Sequence, residues 1–334
     1  MMTRRQLVRG LALAGAGGTL GVTTRPVAAE PPPEVTTIRL IRTAAICVAP
    51  QYVADELLHA EGFAEVRYVD QPAGGLGALQ RLARGEADVT MTFSGPLVVQ
   101  LDTGDPVVIL AGIHTGCFEL FGTERVRTIR DLKGKTVAVL SLRSSQHIFL
   151  SAMAAYVGLD PRRDITWLTR PRAEGIQLLS DRRIDAYMGF PPEPQELRDR
   201  RIGHVVVNSA VDRPWSQYFC CMLAGNRDFV RKYPTATRRA LRAMLKATDV
   251  CATEPERAAR ILVDRGYTGR YDYALQTLRE VPYWRWREYD PEDTLRFYAL
   301  RLHEAGMIHG TPQRILARGT DWRFLDELRK ELKG

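Results

Sequence analysis

Ala87-Asp88-Val89-Thr90-Met91-Thr92-Phe93 is a short apolar run that ends in Ser94-Gly95-Pro96, and a helical pattern over 96–102 follows at once. The run has strand length, Ser and Gly mark the junction, and Pro suits the first helical turn. One such unit is a weak signal, but it repeats on both sides. Residues 37–41, 65–69 and 107–113 read as further strands, with helices over 51–59 and 76–84. The series restarts with a strand over 135–139, a helix over 146–156, a strand over 165–168, a helix over 173–181 and a strand over 184–188. Alternation of this kind builds α/β layers, and two series in tandem predict two similar lobes. Residues 218–224 read as a returning strand. Beyond it, 228–334 reads as almost wholly helical, over 234–251, 254–265, 271–279, 291–305 and 321–332.

At the amino end, Thr3-Arg4-Arg5-Gln6-Leu7-Val8 precedes an apolar, small-residue run from Leu11 to Val22. That pattern reads as a twin-arginine export signal over 1–29. Val27-Ala28-Ala29 offers a cleavage site, and Pro31-Pro32-Pro33 cannot continue a helix. The competing reading is an anchor, but a run of about 12 residues falls short of the roughly 20 that span a bilayer. No lipobox cysteine is present, so the predicted location is the free periplasm. Gly15, Gly17 and Gly21 miss the dinucleotide spacing by one and follow no strand.

The 334 residues carry 47 Lys+Arg against 39 Asp+Glu, a formal charge of +8. Arg4, Arg5, Arg9 and Arg25 lie in the leader with no acid, leaving 43 basic and 39 acidic residues, or +4. So mild an excess, without a block of like charges, gives no argument for nucleic acid. Tyr283-Trp284-Arg285-Trp286-Arg287 reads either as base-stacking or as packing with guanidiniums over ring faces. The five cysteines form no C-x-x-C or His-flanked metal spacing, so no metal is expected. Cys220-Cys221 reads either as a vicinal disulfide or as small residues on a strand. There is no G-x-S-x-G, H-E-x-x-H or Walker loop, and the His114/Cys117 spacing carries no specificity for a nucleophile pair. Neither enzyme nor cofactor is predicted.

The chemistry concentrates where strands end and helices begin. In open α/β sheets ligands bind outside the carboxyl ends of strands, against helix N-termini. These junctions hold Thr43-Ala44, Gly74-Gly75, Phe93-Ser94 and His114-Thr115 in the first series. In the second they hold Arg143-Ser144-Ser145 and Phe190 with Glu193, and Trp215 and Tyr218 precede the returning strand. Each has a plainer reading: a tight turn at Gly74-Gly75, a helix cap at Ser94, a solvated Arg143, a helix-favouring Glu193, core packing at Trp215. Together they predict a cleft in which hydroxyls and N–H groups hold an anion, Arg143 clamps it, and Phe93, Phe190, Trp215 and Tyr218 form apolar walls.

These stretches also carry a resemblance. Gly74 to Val89 (GGLGALQRLARGEADV), Ile129 to Val139 (IRDLKGKTVAV), Gly158-Leu159-Asp160-Pro161 with Asp164-Ile165-Thr166-Trp167, and Arg182-Arg183-Ile184-Asp185-Ala186 resemble the nitrate/sulfonate/taurine-type substrate-binding proteins of ABC importers. That group also includes binders of thiamine-precursor pyrimidines. The resemblance covers roughly 36–260. It implies a type II periplasmic-binding-protein fold: two α/β lobes joined by two hinge crossings, near 116–122 and 218–224, with a helical C-terminal extension. The implied division is 36–117 and 219–334 for lobe one and 118–218 for lobe two. The implied function is a periplasmic receptor that hands a small organic molecule to a membrane permease; Arg143 and the hydroxyls of the cleft point to an anion, and the protein is expected to be a monomer. The pyrimidine-synthesising relatives bear a cysteine-rich motif that Phe219-Cys220-Cys221-Met222 matches faintly; a partner of a membrane sensor is the remaining alternative.

Overall fold

The computed structural model describes residues 30–70 and 77–332. The leader, with Arg4 and Arg5, and the Gly74-Gly75 turn lie outside them. Among the described residues ten strands form two five-stranded sheets. Sheet one contains β1 (Thr37–Arg42), β2 (Glu65–Asp70), β3 (Val89–Phe93) and β4 (Val107–Thr115). Sheet two contains β5 (Glu119–Gly122), β6 (Lys135–Val139), β7 (Ile165–Thr169), β8 (Ala186–Gly189) and β9 (His204–Asn208). The chain then returns to sheet one as β10 (Phe219–Asn226).

The sheet orders are β2-β1-β3-β10-β4 and β7-β6-β8-β5-β9. In each, the first three strands are parallel and the fourth is antiparallel. The two lobes are thus one topology built twice. The quoted Asp88 and Asp185 occupy equivalent places in it. The Arg39 N–H donates to Asp88 Oδ2 at 2.7 Å and the Asp88 N–H to the Arg39 carbonyl at 2.8 Å. In sheet two the Thr136 N–H donates to Asp185 Oδ2 at 2.8 Å and the Asp185 N–H to the Thr136 carbonyl at 2.9 Å. Each buried carboxylate satisfies a backbone donor where the parallel ladder begins, and each faces an arginine, Arg39 or Arg125.

The predicted strands and helices are present with small shifts at their ends. The sequence reading missed β5, β9 and the helices Glu193–Asp199, Arg227–Lys232 and Pro312–Gly319. C-terminal helices brace both lobes. Pro234–Thr253 packs on Ala49–Ala60 of lobe one, while Pro291–Glu304 packs on Ser145–Tyr156 of lobe two. The aromatic-arginine run packs inward: Tyr283 and Trp286 are fully buried, and Arg287 lies 4.1 Å above the Trp286 ring. No described helix is long and apolar enough to cross a membrane.

Candidate ligand cleft

β1 and β3 share one paired position, Leu40 opposite Val89. Beyond it Gln51, fully buried on the helix Ala49–Ala60, fills the gap. Its Nε2 donates to the Ile41 carbonyl at 2.7 Å, and its Oε1 accepts the Met91 N–H at 2.8 Å. The inserted amide splays the strands at their carboxyl ends, between the strands where the sheet order reverses. β6 and β8 pair at two positions, Val137–Ala186 and Ala138–Tyr187.

The lobes meet over an aromatic floor. Phe93 lies 4.9 Å from Phe118 and 5.2 Å from Phe190, and Phe118 lies 4.9 Å from Phe149. Phe93 comes from lobe one, Phe149 and Phe190 from lobe two, and Phe118 from the outgoing crossing. The Ile46 N–H donates across to the Pro191 carbonyl at 3.3 Å. Gly95 also touches the other lobe, since a Cβ there would stand 2.8 Å from Ile148 Cγ2.

The remaining predicted residues have distinct surroundings. Thr43 exchanges two backbone hydrogen bonds with the Tyr52 hydroxyl, at 2.8 and 2.6 Å, and Ala44 beside it is exposed. Ser94 Oγ donates to the Phe219 carbonyl at 2.6 Å, tying β3 to the returning strand. Thr115 Oγ1 is buried and has no hydrogen-bond partner. Arg143 is exposed in the left-handed region at φ 68°, with no carboxylate at ion-pair distance among the described residues. Ser144 caps the next helix by accepting the His147 N–H at 3.4 Å, and Ser145 is half-buried. Trp215 is buried against Phe149, Tyr156 and Phe297, and Tyr218 stacks on Phe297 at 3.9 Å. Phe118 and Phe149 were not predicted, because a lone Phe inside an apolar run gives no sign of which neighbour it meets.

Glu193 is fully buried. It pairs with Arg172 at 2.5 Å and accepts the Phe190 N–H at 3.3 Å. Burial outweighs the Arg172 charge and pushes its pKa up to about 7 from 4.5. A carboxyl raised on folding holds its proton more tightly in the native state. Its contribution is therefore fully present below pH 4.5, falls as pH rises, and levels off above about pH 7, a loss of roughly 3 kcal/mol. Melting curves from pH 4.5 to 8 should accordingly diverge between wild type and Glu193→Gln, with the variant gaining relative stability as pH rises. Parallel curves would refute this ionisation. His147, whose ring stands edge-on to Trp167 at 4.5 Å, moves the other way: burial and then Arg143 lower its pKa to about 4.

A second constellation lies at the base of the crossings. Cys47, His114, Cys117, Cys220 and Cys221 are buried, and all the cysteines are free thiols. A bulge in β10 sets Phe219 opposite Thr115 but Cys221 opposite His114, so Cys220 is the extra residue. A bulge re-aims side chains that would otherwise alternate, and both thiols reach the cluster. Burial opposes a charge on His114, yet the sulfurs of Cys221 and Cys47 draw its pKa up to about 10. Tyr283 closes the nest, its ring edge-on to His114 at 5.2 Å and its hydroxyl donating to the Cys47 carbonyl at 2.9 Å.

Over 126 residues the chain is 29% identical to the bicarbonate-binding protein CmpA of Synechococcus elongatus. The match takes in 37% of this chain and spans only 28% of that relative's length. Among solved structures, the periplasmic nitrate-binding protein NrtA from Synechocystis PCC 6803 superposes with a TM-score of 0.73 at 16% identity, over 91% of this chain and 90% of that one. The alkanesulfonate-binding protein SsuA from Xanthomonas axonopodis pv. citri, bound to MOPS, gives 0.68 at 17% identity, over 88% and 100%. At these identities the likeness establishes a shared fold, the two-lobed periplasmic-binding-protein fold. The NMT1-like family matches residues 31–263, about 70% of the chain, and the chain belongs to it.

Proposed function

We propose that this protein is the periplasmic solute-binding component of an ABC importer. It captures a small anionic molecule between its lobes and delivers it to a membrane permease. The observation that carries this reading is the duplicated sheet topology, with strand ends from both lobes meeting over one aromatic floor. Such a cleft binds by favouring the form in which both lobes touch the ligand. The bicarbonate, nitrate and sulfonate binders it resembles take small oxyanions, which supports an anion here. The N-terminus of the helix Ser145–Tyr156, the Ser145 hydroxyl and Arg143, which has no ion-pair partner among the described residues, are the donors this reading assigns to an oxyanion. The family and the binding proteins among its relatives favour a receptor over a catalyst.

A thermal-shift screen with bicarbonate, nitrate, sulfonates, carboxylates and pyrimidines tests this. A true ligand at about 100 times its Kd stabilises by roughly 2.7 kcal/mol. Arg143→Ala should then weaken that ligand by about 1.5–3 kcal/mol. No stabilisation by any oxyanion would overturn the anion reading, and unchanged affinity in the variant would remove Arg143 from the site. We further infer that residues 1–29 are a twin-arginine signal and that the exported protein acts in the periplasm as a monomer. Arg4→Lys with Arg5→Lys should leave the precursor in the cytoplasm; undiminished periplasmic accumulation would refute the export route.

A further inference from the structure

We propose that Cys221, with donors drawn from Cys47, His114, Cys117 and Cys220, binds one thiophilic d10 cation, zinc(II) or copper(I). The sulfurs of Cys47, Cys117 and Cys221 lie within 4.8 Å of one another, as do a His114 ring nitrogen and the sulfurs of Cys220 and Cys221. Tetrahedral bonds of about 2.3 Å to sulfur set ligand sulfurs about 3.8 Å apart, so closure of either trio on an ion asks for shifts of up to about 1 Å. Thiolates and one imidazole, with no carboxylate among them, suit a soft ion and disfavour magnesium or calcium.

The histidine supplies the independent observation. Its Nδ1 lies 3.1 Å from the Thr115 carbonyl, a contact that places the proton there. Nε2 is fully buried without a hydrogen-bond partner, and a proton it carries in the metal-free cluster would leave as the ion binds. Imidazoles that bind metal are oriented in this manner, with the other N–H donated to a carbonyl. Cys117 also lines a cavity of about 220 Å³ beside Glu119, Asn208 and Glu280, a route of entry to the cluster. An ion held here would tie the turn after β1, the end of β4, the outgoing crossing and β10. The proposal does not depend on which solute the cleft takes.

The sequence reading found no metal spacing because Cys47, the His114–Cys117 stretch and Cys220-Cys221 lie far apart along the chain and meet through the insertion of β10 beside β4. The competing fate is oxidation, since Cys117 and Cys220 sulfurs lie 2.9 Å apart.

The test uses untagged, reduced, metal-free full-length protein under anaerobic conditions. It is titrated with zinc(II) and with copper(I), each against a chromophoric competitor, and with cobalt(II) as a spectroscopic stand-in. One equivalent of zinc(II) or copper(I) should bind, and cobalt should give thiolate charge-transfer bands. Cys221→Ser and His114→Phe should each weaken binding by about 100-fold or more, while Cys251→Ser, a buried thiol outside the cluster, should match wild type. If Cys221→Ser does not fold, judged by circular dichroism, Cys220→Ser gives the same reading. The proposal is overturned if the reduced protein takes up neither ion. Wild-type affinity in the folded cluster variants would overturn it too, as would a Cys117–Cys220 disulfide in the isolated protein combined with no uptake after reduction.

Discussion

Gly116→Ala is expected to lower the melting temperature by about 6 °C, the shift that roughly 4 kcal/mol produces in a domain of this size. Two costs combine. Gly116 has φ +51°, where a side chain costs roughly 1–2 kcal/mol. Its missing Cβ also makes room for the returning crossing. That crossing runs over 209–218 between β9 and β10 and not over 218–224 as expected, since 219–224 lies in β10. A Cβ would stand 2.5 Å from the Ala210 nitrogen and 2.7 Å from the Ser209 carbonyl oxygen, and closer still to Ala210 Cα. Backbone atoms cannot swing aside as a side chain does, so overpacking adds roughly 1–3 kcal/mol. Ser209 fixes the same contact, with its Oγ accepting the Cys117 and Phe118 N–H groups at 3.1 and 2.9 Å. Gly134→Ala is the matched control, because φ is +71° there and nothing lies within 4 Å of the Cβ. Equal melting temperatures for the two variants would mean that the crossings do not touch at Gly116.

Trp286→Ala should cost about 3–5 kcal/mol, the range for emptying a large aromatic site in a core. Trp286 is fully buried where Tyr283–Arg287 packs between β4 and the helix Pro234–Thr253. Its Nε1 donates to Asp249 at 2.9 Å. Trp284, two residues earlier, is half exposed, and its replacement by Ala should stay within about 0.5 kcal/mol. Chemical denaturation of both variants measures the contrast. Similar midpoints for the two would contradict the inward packing of this run.

This aromatic run shows what a sequence reveals and what it withholds. Alternating Trp and Arg fits both base stacking and packing, and the choice depends on partners far along the chain. The fold was far more legible. Each βα unit is local, so period and junction residues identify it, and the two quoted aspartate motifs proved to occupy the same place in both sheets. β5 escaped because Glu119–Gly122 is a four-residue strand with a carboxylate at one end, held between β8 and β9. The cleft was legible only in part. Strand ends point to it, but nothing local shows that Ser94 is bound to the Phe219 carbonyl or that Glu193 is sealed against Arg172. The thiol cluster was invisible for a related reason: a bulge in β10 and a strand order set by distant residues assemble it.

The place of β10 has a further consequence, for synthesis. The strands of lobe two, β5 to β9, follow one another within 119–208, so their sheet is complete as soon as that stretch exists. Sheet one is interrupted. β3 and β4 do not pair with each other, and both wait for β10, which the ribosome makes only after the whole of lobe two. Contacts between such distant residues form slowly. A chain halted at residue 218 therefore carries all five strands of the second sheet and, in the first, a vacant strand position between β3 and β4.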